Sequence, residues 1–338
     1  MTGGTGTRGS PPGALPLHGR KQPTVPRTMP AMARGRILDR VVRTLGSGTD
    51  VVERLAGLPA SDLRALLLEV AARRAAARRP ADVLRRYEHE VSFASASVDA
   101  AAYRRLEGWA FEALPDGFVE IVLAPHAPLG TSSVLADLSQ DRALSTIADS
   151  EVVSDSTNVL ALEAARRRRD PTLRRRMVPV RLATSHRLLR PRDAAHFGLI
   201  GMCTADRDRG SFEMQVRALH EHIDWHLRVI TRHAPGMSLE VLLTDLSGGV
   251  RRAPLDSELL QPMRGTWPAV EWSFDDARQG GRQYYDEACF AINAVHADGS
   301  RANLSDGGLT GWTARLLADG KERLLISGVG SDRLLRLR

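Results

Sequence analysis

The sequence predicts an α+β domain with a mostly antiparallel sheet, set behind an N-terminal helical extension. Three observations carry this. Apolar residues recur at helical spacing across 37–90. From residue 99 onward, helical stretches alternate with short runs rich in Val, Ile, Leu and Phe. Two of those runs, 178–186 and 196–205, are joined by a short basic turn, the pattern of an antiparallel hairpin.

Taken in order, residues 1–36 hold six prolines among many glycines and almost no large apolar residue. Such a segment cannot bury enough surface to offset the entropy of ordering, so it is expected to be disordered. Residues 37–98 form the helical extension. Ile37, Leu38, Val41, Val42 and Leu45 mark a first helix, and Val51, Val52, Leu55 and Leu58 a second. Pro59 breaks the pattern, Ser61 or Asp62 can cap a third helix, and Pro80 ends that helix and opens a fourth. Residues 99–338 form the core. Asp99 caps a helix that closes at Pro115-Asp116-Gly117, and a strand follows over 118–125. A capped helix spans 156–169, the hairpin comes next, and a long helix runs from Ser211 to His233. Residues 238–245, 268–274, 284–295 and 322–329 supply further strands.

Composition narrows the function. Of 338 residues, 43% are hydrophobic and 26% charged, the profile of a globular protein. No run approaches the roughly eighteen apolar residues of a membrane-spanning helix, so no membrane partner is expected. The net charge of +7 suggests nucleic acid, yet Arg8, Arg20, Lys21, Arg27, Arg34 and Arg36 lie in an acid-free tail. The remainder is nearly neutral and requires no basic groove. Two cysteines are too few for a disulfide framework, which fits a reducing, cytoplasmic setting.

The arginines of 71–80 are read as a solvated helix face packed on the main domain, with RNA phosphates as the alternative. Arg166 to Arg169 are read as a helix C-terminus favoured by the macrodipole, with a tRNA contact as the alternative. His220, His222 and His226, with Glu221 and Asp224, are read as a solvated amphipathic helix, a metal site being the alternative. No nucleophilic triad is evident.

Four pieces in a fixed order carry the chemistry. They are a helix and strand ending at Pro125, the Arg-bearing hairpin SHRLLRPRDAAHFGLIG, a Gly-rich SDGGLTGW and a terminal SGVGSDRLLRL. This order resembles the catalytic core of class II aminoacyl-tRNA synthetases, in the histidyl branch that includes the regulatory paralogue of ATP phosphoribosyltransferase. The resemblance covers 100–338 and implies a class II synthetase-like antiparallel sheet flanked by helices. It places Pro125 at the end of a dimer-forming motif. It sets Arg187 on the α-phosphate and Arg333 on the γ-phosphate of ATP, accompanied by Mg2+, with Arg190 and Gly330 also on the nucleotide side. A planar guanidinium suits this task because adenylation builds negative charge on a phosphorus whose oxygens it can hold in pairs. On the substrate side the resemblance places Asp155 and Thr157, which hold an ammonium, with Cys203, Arg282, Tyr284, Tyr285, Gly307 and Gly308.

The departures also matter. Leu189 stands where the family has an acid near adenine, Leu199 and Cys203 stand where it has a glutamine and a glutamate, and Gly280 replaces an arginine, with Arg282 nearby. The family's GGRYD has become Gly307-Gly308-Leu309-Thr310-Gly311. A pocket without those polar groups cannot pair an imidazole, so histidine is not the expected substrate. No anticodon-binding domain is expected after the core, so ordinary tRNA charging is not expected either. Two readings stand: an ATP-dependent, adenylate-forming homodimer acting on an amino acid or another small carboxylate, and a non-catalytic regulatory or ligand-sensing paralogue with a protein partner. For Arg187 and Arg333 the alternative is a structural ion pair; for the Gly-rich stretches it is a simple turn.

Overall fold

The computed structural model describes residues 31–45, 51–176, 178–190 and 195–337. Most of the expected tail and the turn of the hairpin, 191–194, lie outside the described residues. The first helix, α1 (Ala31–Thr44), begins inside the expected tail and is followed by α2 (Val51–Ala56), α3 (Ala60–Ala76) and α4 (Pro80–His89). Pro59, rather than Ser61 or Asp62, stands at the start of α3, and the Ser61 hydroxyl donates to Asp62 at 2.9 Å instead of capping. The α3 arginines are solvated as expected, with Arg73 paired to Glu69 at 2.6 Å. Contrary to the expected packing, α2, α3 and α4 bury no residue.

The core is an eight-stranded sheet with helices on both faces. Its strands are β1 (Val119–Glu120), β4 (Val180–Arg190), β5 (Ala195–Arg207), β6 (Leu239–Asp245), β7 (Val270–Phe274), β8 (Ala288–Val295), β9 (Arg301–Thr310) and β10 (Glu322–Gly330). They lie in the order β1-β4-β5-β10-β9-β8-β6-β7. Both edge pairs, β1 with β4 and β6 with β7, are parallel, and every interior pair is antiparallel. A small second sheet pairs β2 (His126–Pro128) with β3 (Ser150–Val152). The expected strand 118–125 shrinks to two residues because only Val119 and Glu120 enter the sheet ladder, opposite Leu182 and Ala183.

One face of the sheet is covered by α5 (Ala100–Glu112), α8 (Glu213–His233) and the helical turns from Arg252 to Thr266, among them α9 (Arg252–Pro254) and α10 (Gln261–Thr266). Asp99 caps α5 by accepting from the Ala101 amide at 2.8 Å, as its sequence position implies. The other face holds α6 (Ser156–Arg168) and α11 (Trp312–Leu317), while α7 (Pro171–Arg176) follows α6 and α12 (Ser331–Leu335) closes the fold. Side chains alternate between the faces: Ile200 and Met202 pack toward α8, whereas Leu182 and Cys203 pack toward α6.

The Gly-rich segment is the middle of β9 rather than a turn. A Cβ on Gly307 would lie 2.5 Å from the Ser327 Cβ and 2.6 Å from the Phe290 ring. On Gly308 it would lie 2.6 Å from both Cys289 and Tyr285. These glycines let neighbouring strands and a ring approach closely.

The arginine run resolves into separate roles. Arg166 and Arg167 both pair with Glu163 on the helix surface. Arg168 turns inward and grips Glu322 with a two-toothed fork at 2.9 and 3.0 Å, with Asp206 at 3.8 Å; all three side chains are buried. This fork ties the end of α6 to the start of β10. Arg168→Met strips the cation from two buried carboxylates and is expected to cost about 3–5 kcal/mol, read from urea unfolding at neutral pH. A change within 1 kcal/mol of wild type would refute the structural role.

Candidate functional site

A cavity of about 650 Å³ lies on the α6 face of the sheet. Its walls come from the N-terminus of α6, the β4–β5 hairpin, β9, β10, the starts of α11 and α12, and the loop 278–285. At one end Asp155 caps α6, its Oδ1 accepting from the Thr157 amide at 3.0 Å and the Thr157 hydroxyl at 2.8 Å. Arg190 donates to Asp155 Oδ2 at 2.9 Å.

Tyr284 and Tyr285 form a second wall, their ring centroids 4.4 Å apart, with Trp312 6.1 Å from Tyr284. The loop reaches this wall through Gly281, whose φ of +82° suits a residue without a Cβ. Burial, aided by the nearby Asp306, pushes the Tyr284 hydroxyl up to about 12 and that of Tyr285 well above its usual value. Both are therefore neutral hydrogen-bonding groups at physiological pH. The Asp306 carboxyl opens onto the cavity yet is walled in by protein; that burial raises its pKa against the pull of Arg278, 3.5 Å away.

Of the residues expected at the site, Asp155, Thr157, Arg190, Tyr284, Tyr285, Gly330 and Arg333 line this cavity. Five do not. Arg187 leaves β4 on the side of α5, over the Tyr103 ring; it donates to His196 Nδ1 at 2.9 Å and reaches Asp332, at the rim of the cavity, at 2.9 Å without lining the cavity itself. The reason is strand parity: Arg187 and Arg190 are an odd number of residues apart, so they point to opposite faces. Leu189 shares the parity of Arg187. Cys203 is fully buried behind α6, its thiol against the Leu160 carbonyl, and burial raises its pKa to about 12. Gly307 and Gly308 are sealed by their packed neighbours. Arg282 donates to the carbonyls of Arg278 and Asp276 and faces solvent.

The arginine that does enter the cavity from this loop is Arg278. Its guanidinium donates to the carbonyls of Gly280 at 2.8 Å and Phe290 at 3.2 Å and lies over the Tyr285 ring. Sequence reasoning missed it because it is seven positions before Tyr285 rather than five, the two glycines at 280–281 bending the chain back. Asp306, Arg142 and Arg336 were also missed; an acid beside two glycines in a strand was the one available signal. Among the described residues, five arginines and three aspartates line the cavity.

The histidine-bearing helix is not solvated as expected. His222 and His226 are fully buried in the core. The His222 ring nitrogens face Thr204 Oγ1 at 2.9 Å and Ser327 Oγ at 2.8 Å, which occupies both. Among the described residues no group of three or more His, Cys, Asp or Glu side chains converges on a metal position. Burial lowers the His222 pKa to about 3 and that of His226 well below 6.5. An unfolded histidine takes its proton near pH 6.5 while these two remain neutral. Their contribution to stability is therefore complete above pH 6.5 and is lost as the pH falls toward 3. Urea unfolding should lose about 1.4 kcal/mol per pH unit per histidine below pH 6, and His226→Leu should remove one such contribution. An unchanged slope in that variant would contradict the assignment.

No family model and no curated protein matches the sequence. Solved structures do. Histidyl-tRNA synthetase from S. aureus aligns with a TM-score of 0.52 at 15% identity, over 70% of this chain and 66% of that one, just under two thirds of its length. The Nostoc histidyl-tRNA synthetase gives 0.52 at 11%, over 73% and 75%. A threonyl-tRNA synthetase structure from Cryptosporidium parvum gives 0.53 at 12%, over 70% and 63%. At these identities the likeness establishes architecture, and the chain has the fold of the class II aminoacyl-tRNA synthetase catalytic core, as the order of its motifs implies.

Proposed function

We propose that this protein activates a small carboxylate with ATP, forming an acyl-adenylate in the cavity. The observation that supports this most is the convergence of Arg278 and Arg333, from separate elements, on a cavity that also holds Asp155 and Thr157. In the proposed reaction a carboxylate oxygen attacks the α-phosphorus, the bond to the β-phosphate oxygen breaks, and pyrophosphate leaves. Negative charge builds on the α-phosphoryl oxygens as this happens. Arg278, held by two carbonyls and the Tyr285 ring, is pre-oriented to meet that charge, and Arg333 to meet the terminal phosphate. Arg187 has no part in this scheme. Mg2+ would be carried by the phosphate oxygens: each aspartate among the described cavity residues already faces an arginine, so these residues offer no carboxylate cage.

A second reading, a ligand-sensing paralogue without catalysis and with a protein partner, is favoured by Arg187 being committed to Asp332. Pyrophosphate exchange separates the two. Exchange supported by some carboxylate favours the enzyme; ATP binding without exchange favours the sensor. Under either reading, Arg278→Ala should weaken magnesium-ATP binding about ten- to hundredfold by calorimetry, because a buried charge-assisted contact is lost. Arg187→Ala should lower the Tm and leave that affinity within about threefold. The reverse pattern would return the phosphate role to Arg187.

We also propose that the protein works as a homodimer in a reducing, cytoplasmic compartment. Both cysteines are buried free thiols, and no helix among the described residues is long and apolar enough to cross a membrane. In the segment that follows α5, Val122 is 92% and Val134 77% exposed, with Val119 and Leu129 also open. Val122→Asp with Val134→Asp should convert a dimer to a monomer in sedimentation equilibrium. A wild-type monomer at micromolar concentration would remove the dimer.

A further inference from the structure

We propose that the acid accepted by this cavity carries no α-ammonium group, and that Arg190 decides this. The inference rests on the carboxylate-activating reading above and narrows its substrate class. An amino acid would have to leave its ammonium on a carboxylate with charge to spare, and Asp155 has none. Its Oδ1 is shared by the amide and hydroxyl of Thr157, and its Oδ2 takes Arg190 Nη2 at 2.9 Å.

Arg190 is itself fixed on its other sides. Its Nε donates to the Ser154 carbonyl at 2.9 Å, and its guanidinium carbon lies 5.0 Å from the Phe197 ring centroid. Asp155 and Arg190 both line the cavity, each about one quarter exposed. An ammonium placed here would meet a guanidinium and the positive end of the α6 dipole together.

The other two cavity aspartates offer no better place. Asp306 faces Arg278, and Asp332, in α12, is bound by Arg187 and by the Gly198 amide. Arg142, Arg333 and Arg336 add further positive charge to the lining. A ligand with hydrogen, hydroxyl, oxo or a second carboxylate in place of the amine meets attraction where an amino acid meets repulsion.

The test uses the whole chain and matched pairs: alanine with lactate, phenylalanine with 3-phenyllactate, and glutamate with 2-oxoglutarate. Binding is read by calorimetry with and without magnesium-ATP, and activation by pyrophosphate exchange. In wild type the acid without an ammonium should bind more tightly, by on the order of tenfold, in every pair that binds. Arg190→Gln should reverse the order by freeing Asp155, and Arg190→Lys, which keeps the charge, should preserve it and control for folding. A wild-type preference for any of the amino acids, an unchanged order in Arg190→Gln, or no binding by any member would overturn the proposal. Loss of ATP binding and exchange would overturn the adenylation reading alone, because the preference within pairs is still measured without nucleotide.

Discussion

Eleven residue pairs lock β4 against β5, and that register governs the rest of the molecule. Side chains on paired strands alternate strictly between two faces, so one face can be given to a helical core and the other to a cavity. Ile200 and Met202 enter the apolar layer under α8, while Phe197 and Leu199 turn toward the cavity. A slip of one residue would exchange the faces, taking Ile200 and Met202 out of the apolar layer and turning Arg190 away from the cavity. The burial on the α8 face opposes such a slip strongly, and the facing of Arg187 and Arg190 follows from it.

Helix α6 carries that order from one end of the domain to the other. Its N-terminal cap forms a wall of the cavity, and its last residue, Arg168, is clasped to β10 by Glu322. A cap and a buried fork at opposite ends fix both the position and the rotation of the helix. The cavity is thus set by contacts well away from it. The close approach of β9 to its neighbours at Gly307 and Gly308 acts the same way, bringing Asp306 and Ser305 to the cavity without lining it themselves.

The electrostatics of the cavity follow a single pattern. Each of its described aspartates is met by an arginine from outside its own element: Asp155 by Arg190 and Asp332 by Arg187, both of β4, and Asp306 by Arg278 of the loop before β8. Matched pairs relieve the penalty of partial burial, and the arginines beyond those pairs leave the site suited to anions.

Much of the fold was legible in the chain because it rests on local periodicity. The helical stretches from 37 to 90, the Asp99 cap, the hairpin and the antiparallel character all follow from spacing and capping residues that act within a few positions. The order of the four motifs also pointed to the correct architecture, and Asp155, Thr157, Arg190, Tyr284, Tyr285, Gly330 and Arg333 line one cavity, Arg190 beside Asp155 rather than on the nucleotide side the resemblance implied. What the sequence could not decide was which face each residue takes and what it meets across space. Arg187 and Arg190 look interchangeable in a string of letters, yet pairing with β5 sends one to Asp332 and the other to Asp155. Arg278 displaces Arg282 only because two glycines fold the loop back over β8. His222 and His226 read as a polar helix face until Thr204 and Ser327 from neighbouring strands close over the first and Trp225 and Phe290 pack on the second. Local spacing fixes the elements, whereas long-range pairing fixes their facing, and the facing is what makes a site.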